Sequence, residues 1–304
     1  MFENLYAMIE NTTICGADCI MCPRDKFSHK FENMPFDTFK KIIDELVEGG
    51  CRKIGITGFG DSLCDTGLEK KLEYVKTICP DMYISTINTG HLLTPKNIDL
   101  FSKYFDIVKI SMYGFTKETY ESIHRGTLVF EQIKENIDAF LERNKGNEGV
   151  YTIMTFLVMP ENEHEMNIWK EYYEPRCNRI DIWKPHNWSG NMGEAQTPIT
   201  HICPRVMSCN DLQFCTDGTV VPCCFDFDRK NNIGNVNVMT IKEILNGESL
   251  KKLQNIFIND EVLNTDTTCR YCDQIRDRTD ALIYSSEKEM KVGKSSMINY
   301  NKEK

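Results

Sequence analysis

The sequence predicts an α/β fold: a partial (β/α)6 TIM-like barrel followed by a small, C-terminal, cysteine-rich α+β domain. Three observations carry this. Strand-like and helix-like segments alternate six times between Asn4 and about His186, and serial β-then-α units build a parallel sheet with helices outside. Six units do not complete an eight-fold barrel, so the sheet is expected to stay open, with ligands at the C-terminal ends of its strands. After Asn187 the pattern changes to short strands, turns and cysteines.

Each element has its own signal. Leu5–Glu10 is read as a first strand leading to the first cysteines. Phe36–Glu48 is predicted as an amphipathic helix, because Phe39, Ile42, Ile43 and Leu46 recur at helical spacing and Gly49-Gly50 stops it. Strands are predicted at Lys53–Thr57, Tyr83–Ile87, Ile107–Met112, Tyr151–Met159 and Arg179–Lys184. Helices are predicted at Leu68–Ile78, Pro95–Tyr104, Phe130–Arg143 and Glu163–Tyr173, the second with Pro near its start. In the appendage, Leu212–Thr216 and Thr219–Pro222 flank Asp217-Gly218, a hairpin signal. Ile241–Leu245 and Leu250–Ile256 read as short helices. The expected division is a core over 1–190, an appendage over 191–280, and a polar, partly ordered tail over 281–304.

Composition limits the function. The chain has 304 residues, 41% of them apolar, which is enough for a full core. A formal net charge of −9 argues against a nucleic-acid partner. No run of 18 apolar residues occurs, so no membrane span is expected, and Met1–Glu10 has no basic region before an apolar stretch. The cytoplasm is the expected location. There the 14 cysteines would stay reduced and, where clustered, read as metal ligands or catalytic groups. Cys51, Cys64, Cys79 and Cys177 stand alone and are expected to pack as small apolar residues.

Cys15, Cys19 and Cys22 lie within eight residues, in the loop after the first strand. Three soft thiolates that close together can hold three corners of a [4Fe–4S] cube, leaving the fourth iron for an outside ligand. A structural zinc would want a fourth protein ligand, for which His29 is the candidate. Farther on, Cys203-Pro-Arg, the segment Asp217-Gly-Thr-Val-Val-Pro-Cys223-Cys224, Ile233-Gly-Asn-Val and Cys269-Arg-Tyr-Cys272 follow in order. Taken alone, this second group fits either an iron–sulfur site or a zinc ribbon.

The CxxxCxxC loop resembles the signature of radical S-adenosylmethionine (SAM) enzymes. In that family the open iron binds the amino and carboxylate groups of SAM, and one electron cleaves SAM to methionine and a 5′-deoxyadenosyl radical. The resemblance implies further contacts. Met21 stands where the family places a residue against the adenine. Gly58-Phe-Gly60-Asp61-Ser62 follows the second strand and is similar to the glycine-rich GGE segment, although Asp61-Ser62 replaces the usual Glu-Pro. Thr86-Ile-Asn88-Thr-Gly90 ends the third strand and resembles the TNG segment. Ser111 ends the fourth strand, where a polar SAM contact is common; it also suits a local hydroxyl bond. The resemblance spans roughly Asn4 to His186.

The second group resembles the SPASM/Twitch extension, and its short CxxC ending resembles the Twitch form with one auxiliary [4Fe–4S] cluster. The implied ligands are Cys203, Cys223, Cys269 and Cys272, with Cys224 as a substitute for Cys223. Cys209 and Cys215 are extra to the pattern. They are packing residues, an alternative ligand, or hydrogen-atom donors.

Lys184-Pro-His186-Asn187-Trp188 ends the sixth strand and is expected to face the cavity. His186, Asn187 and Trp188, with Arg125, are the candidate substrate contacts; Trp188 also suits packing between core and appendage, and Arg125 a surface ion pair. The expected function is SAM-dependent oxidation of a small polar substrate such as a sugar or aminocyclitol. Flavodoxin or ferredoxin would supply electrons, and the auxiliary cluster would accept one. The alternatives are a radical epimerase using a free cysteine and a peptide-modifying maturase. Many maturases carry a leader-binding domain at the N-terminus, and Cys15 lies so near the start that none is expected.

Overall fold

The computed structural model describes residues 2–145, 149–190, 192–193, 197–276 and 281–287. Six strands form the barrel wall: β1 (Tyr6–Ile9), β2 (Lys53–Ile56), β3 (Tyr83–Asn88), β4 (Ile107–Ser111), β5 (Tyr151–Leu157) and β6 (Arg179–Trp183). Each pairs in parallel with the next. The helices between them are α1 (Phe36–Glu48), α2 (Leu68–Ile78), α3 (Pro95–Tyr104), α4 (Lys117–Ile123), α5 (Phe130–Arg143) and α6 (Met166–Tyr173). The expected partial barrel is therefore present.

Residue alternation sets the faces. On β4, Val108 and Ile110 are fully buried against the helices, which leaves Lys109 and Ser111 on the concave face. Ile87, opposite Lys109 in register, is 45% exposed although it lies within a strand. The lumen is thus open to solvent. On the outer side, α1 buries Phe39, Ile42, Ile43 and Leu46 completely, each contributing about 2 kcal/mol of transfer free energy. It ends at Gly49, where a β-carbon would strike the Phe2 ring.

The appendage contributes α7 (Pro204–Ser208), β7 (Asp211–Phe214), β8 (Thr219–Val221), β9 (Gly234–Asn235), α8 (Ile241–Asn246) and α9 (Glu248–Ile258). The β7–β8 hairpin forms at Asp217-Gly218 as expected, with Gly218 at φ +84°. It does not stand apart. β7 pairs in parallel with β1, so the barrel and appendage share one ten-stranded sheet, which begins with β10 (Leu282–Ser285) and runs β10-β6-β5-β4-β3-β2-β1-β7-β8-β9.

The last strand departs from the expected polar tail. β10 (Leu282–Ser285) pairs antiparallel with β6, because Leu282 is buried and Ser285 reaches Asp181 on the concave face at 2.7 Å. The rest of that stretch, from residue 288 onward, lies outside the described residues. Among the described residues, no helix is long and apolar enough to cross a membrane.

Candidate active site

The first three cysteines lie between β1 and α1. The Arg24 guanidinium donates to the carbonyls of Cys15 (3.2 Å), Ala17 (3.0 Å) and Thr13 (3.4 Å), which ties the loop into a fixed turn. The Cys22 N–H donates to the Cys19 carbonyl at 3.0 Å. The Ala17 N–H points at the Cys15 sulfur at 3.4 Å. Burial raises the pKa of all three thiols and pushes Cys22 up to about 11; at Cys19 the two neighbouring sulfurs add to the rise. Such crowded thiols favour the thiolate only beside added positive charge, which iron would bring. Among the described residues, no three His, Cys, Asp or Glu side chains converge on a single-ion position. A cube does not need that convergence, since each thiolate binds a different iron. His29, the candidate fourth zinc ligand, is turned to the Phe227 carbonyl at 3.1 Å.

The glycine-rich segment packs directly beneath this loop. A β-carbon on Gly60 would strike the backbone oxygens of Thr12 and Ile14, and one on Gly58 would strike Glu10. Asp61 is fully enclosed and its carboxylate is spent within the protein. Oδ1 accepts from the Leu63 N–H (3.0 Å) and Asn88 Nδ2 (2.7 Å); Oδ2 accepts from the Thr89 N–H (3.1 Å) and Thr89 Oγ1 (3.0 Å). Asn88 uses its other end as well, accepting from the Gly90 N–H at 2.7 Å. Asp61 and Asn88 therefore lock the β2 and β3 loops to each other. Ser111 accepts from the Tyr113 hydroxyl at 3.0 Å and lies 3.4 Å from Thr155 Oγ1.

Met21 is buried with Ile123 and Met159. Its carbonyl accepts the Trp188 indole N–H at 2.8 Å. Trp188 and Ser189 both have positive φ (47° and 51°), a costly backbone for non-glycine residues that marks a clamped loop. His186 sits between Trp188, edge-on at 4.0 Å, and Phe225, tilted at 4.1 Å, and Phe59 lies 5.2 Å from Trp188. The core loops and the appendage thus meet through one aromatic cluster.

A cavity of about 440 Å³ opens beside it, lined by Ile20, Met21, Met159, Glu161, His186, Asn187 and Asp273, among others. That volume suits a small-molecule ligand. Asn187 faces it but is largely tied down: its amide donates to the Tyr271 carbonyl at 2.7 Å and its N–H to Asp273 at 3.0 Å. Arg125 lies elsewhere, paired with Asp18 at 3.1 Å on the exposed side of the cysteine loop.

The second cysteine group gathers around one hollow. Cys203, Cys223, Cys269 and Cys272 line one small, largely enclosed cavity, with Asp226 and Asn231. Backbone N–H groups of Phe225 and Gln274 point at the sulfurs of Cys223 and Cys272, each at 3.4 Å, and Asn231 Nδ2 at that of Cys269 at 3.6 Å. The donor set is four soft sulfurs with N–H groups aimed at three of them, which suits an iron–sulfur cluster. Cys224 does not line this cavity; its charged neighbours are Arg205 and Asp211.

Neither extra cysteine reaches the 440 Å³ cavity. Cys209 is in a left-handed turn (φ 49°) with its thiol on the Val206 carbonyl at 3.3 Å, beside a hollow formed with Phe2–Leu5. Cys215 is buried behind Glu10 and Arg229. Sequence reasoning missed Arg24, Lys109 and Arg205. Lys109 carried a signal, a charged residue inside an apolar strand. Arg24 and Arg205 carried one as well: each ends a Cys-Pro-Arg triplet, after Cys22 and Cys203.

The radical SAM superfamily profile matches residues 9–169, and that of an iron-sulfur cluster-binding domain, SPASM, matches residues 203–273. GTP 3′,8-cyclase of Helicobacter pylori is 23% identical over 308 residues, covering 88% of this chain and 95% of its own. BtrN in complex with AdoMet and 2-DOIA aligns with a TM-score of 0.59 at 14% identity, over 88% of this chain and 92% of its own. Native anSMEcpe with bound AdoMet gives 0.64 at 16%, over 88% of each. Streptococcus suis SuiB bound to precursor peptide SuiA gives 0.67 at 10%, over 90% and 76%. At these identities the structural likenesses speak for the fold.

Proposed function

The chain belongs to the radical SAM superfamily, and from that membership we propose that it oxidises a C–H bond of a small polar substrate of the sugar or aminocyclitol kind. When bound, SAM and the first cluster, given one electron by a donor such as flavodoxin or ferredoxin, would supply the radical chemistry that removes a hydrogen atom, and the auxiliary cluster would accept the electron released as the substrate also loses a proton.

The chain's own residues divide the remaining work. Cys15, Cys19 and Cys22 hold the first cluster, and Arg24 holds their loop. The backbone at Gly58 and Gly60, with Met21 and Ser111, borders SAM. Asp61 and Asn88 act one step back, by fixing the loops that carry those contacts. His186 and Asn187 line the substrate cavity, and Trp188 packs against His186. Cys203, Cys223, Cys269 and Cys272 hold the auxiliary cluster.

One observation carries the oxidative reading: four cysteines surround the second cavity. Four protein thiolates leave no iron open for substrate, so the role left to that cluster is electron transfer. The epimerase reading needs a thiol facing substrate, and Cys209 and Cys215 lie away from the cavity. A second reading, a radical reaction without net oxidation, is favoured by the near full-length match to GTP 3′,8-cyclases.

The test is anaerobic reconstitution with iron and sulfide, an iron count, and an assay of 5′-deoxyadenosine from SAM. About eight irons with 5′-deoxyadenosine formed, and loss of that product in Cys15→Ala, are expected. Zinc with no 5′-deoxyadenosine would overturn the reading. A product two electrons more oxidised than substrate separates oxidation from the redox-neutral alternative.

A further inference from the structure

Arg205 is an unspent cation beside the second cysteine group. It lies in α7, two residues after Cys203. Its Nε and Nη1 are buried without a hydrogen-bond partner. Asp211 pairs with it at 3.6 Å, beyond hydrogen-bonding distance. Its other charged neighbours are the sulfurs of Cys203, Cys223 and Cys224, and the Phe225 ring lies 5.9 Å away. A buried guanidinium with idle donors is costly unless negative charge compensates it, and one carboxylate at that distance does so only in part.

We propose that Arg205 is a positioning residue that sets the reduction potential of the auxiliary cluster by stabilising the extra negative charge of its reduced form. The inference rests on the reading of Cys203, Cys223, Cys269 and Cys272 as ligands. Four thiolates around a [4Fe–4S]2+ core carry a net charge of about −2, and one-electron reduction takes it to about −3. A fixed cation gains more from the second state than the first, so it raises the potential. The N–H groups of Phe225 and Gln274 and the Asn231 amide act in the same direction as neutral donors. The opposing carboxylate in the cavity lining, Asp226, is turned to the backbone N–H groups of Lys230 (3.0 Å) and Asn231 (2.6 Å). Arg205 is therefore a cation with donors to spare, whereas Arg276, also buried beside the group, spends its donors on the carbonyls of Cys272 (3.2 Å) and Arg270 (2.8 Å).

The test is a potentiometric titration of the reconstituted holoenzyme, followed by electron paramagnetic resonance. In Arg205→Gln the equilibrium constant for reducing the auxiliary cluster should fall at least tenfold, about 59 mV in midpoint, while the first cluster's midpoint stays put. Arg205→Lys should remain within threefold of wild type. Asp211→Asn frees the guanidinium from its counter-charge and should shift the constant upward at least threefold; it keeps the question open to test should Arg205→Gln fail to fold. An auxiliary midpoint unmoved in Arg205→Gln, or unmoved or lowered in Asp211→Asn, overturns the inference alone. A wild-type protein holding only about four irons overturns the four-cysteine reading and the inference with it.

Discussion

Replacing Asp61 tests whether its carboxylate belongs to the protein or to the ligand. The structure gives it four donors: the Leu63 and Thr89 N–H groups, the Asn88 amide and the Thr89 hydroxyl. In Asp61→Asn the remaining oxygen keeps Leu63 and Asn88. The new amide then faces the Thr89 N–H donor to donor, while the Thr89 hydroxyl can turn and accept. One buried N–H is left without an acceptor and a charge-assisted bond is lost, which costs about 2–3 kcal/mol. In Asp61→Ala three or four donors are orphaned, at about 4–6 kcal/mol. At about 2 °C per kcal/mol for a chain of this size, the apparent melting temperature should fall by roughly 5 °C and 10 °C respectively, measured anaerobically by circular dichroism. SAM affinity, measured by equilibrium dialysis, should weaken in parallel, because both glycine-rich loops loosen. An Asp61→Asn protein that melts with wild type yet no longer binds SAM would refute the argument and return the carboxylate to direct ligand contact.

The two adjacent cysteines should separate cleanly: Cys223→Ala should lose about four irons, whereas Cys224→Ala should keep the wild-type count, both read by iron analysis. Trp188→Phe removes the indole N–H that holds the Met21 carbonyl; a loss of about 1 kcal/mol should weaken SAM binding roughly fivefold, in the same dialysis assay. His124 is buried, with its ring on the Tyr120 carbonyl at 2.7 Å, and burial lowers its pKa below 6.5. As pH falls, the unfolded chain takes up this proton first. Stability is therefore full above pH 6.5 and is lost as pH falls toward the folded value. His124→Phe should flatten the fall in melting temperature over that window; an unchanged slope would count against the histidine as its source.

How far the sequence could be read depends on how local each signal is. The apolar spacing of Phe39, Ile42, Ile43 and Leu46 is complete within α1, and the helix appears with the expected bounds. α4 was missed, although Thr116 caps it by accepting from the Thr119 N–H at 3.4 Å; its seven residues are too few for a clear period. β10 reads as tail because its partner, β6, lies about a hundred residues earlier, and pairing at that range has no local mark. The first cysteine group was legible because Cys15, Cys19 and Cys22 fall within eight residues, whereas the second, spread from Cys203 to Cys272, was legible only through the family resemblance. The split between Cys223 and Cys224 was not, since the two thiols are adjacent and hydrogen-bonded to each other, and only the fold decides which one lines the cavity. Asp61 and Asn88 were legible as a pair of motifs but not as partners of each other.

The parallel pairing of β7 with β1 makes the appendage an extension of the barrel wall. Cut after residue 190, the chain would keep its first three cysteines but leave the β1 edge bare, a row of unpaired backbone groups inviting another strand. The severed C-terminal piece would lose the strand against which its own hairpin is aligned. Splitting the enzyme at its apparent domain boundary should therefore yield two sticky fragments rather than two working halves, and any swap of the appendage between relatives must carry the matching β1 along with it.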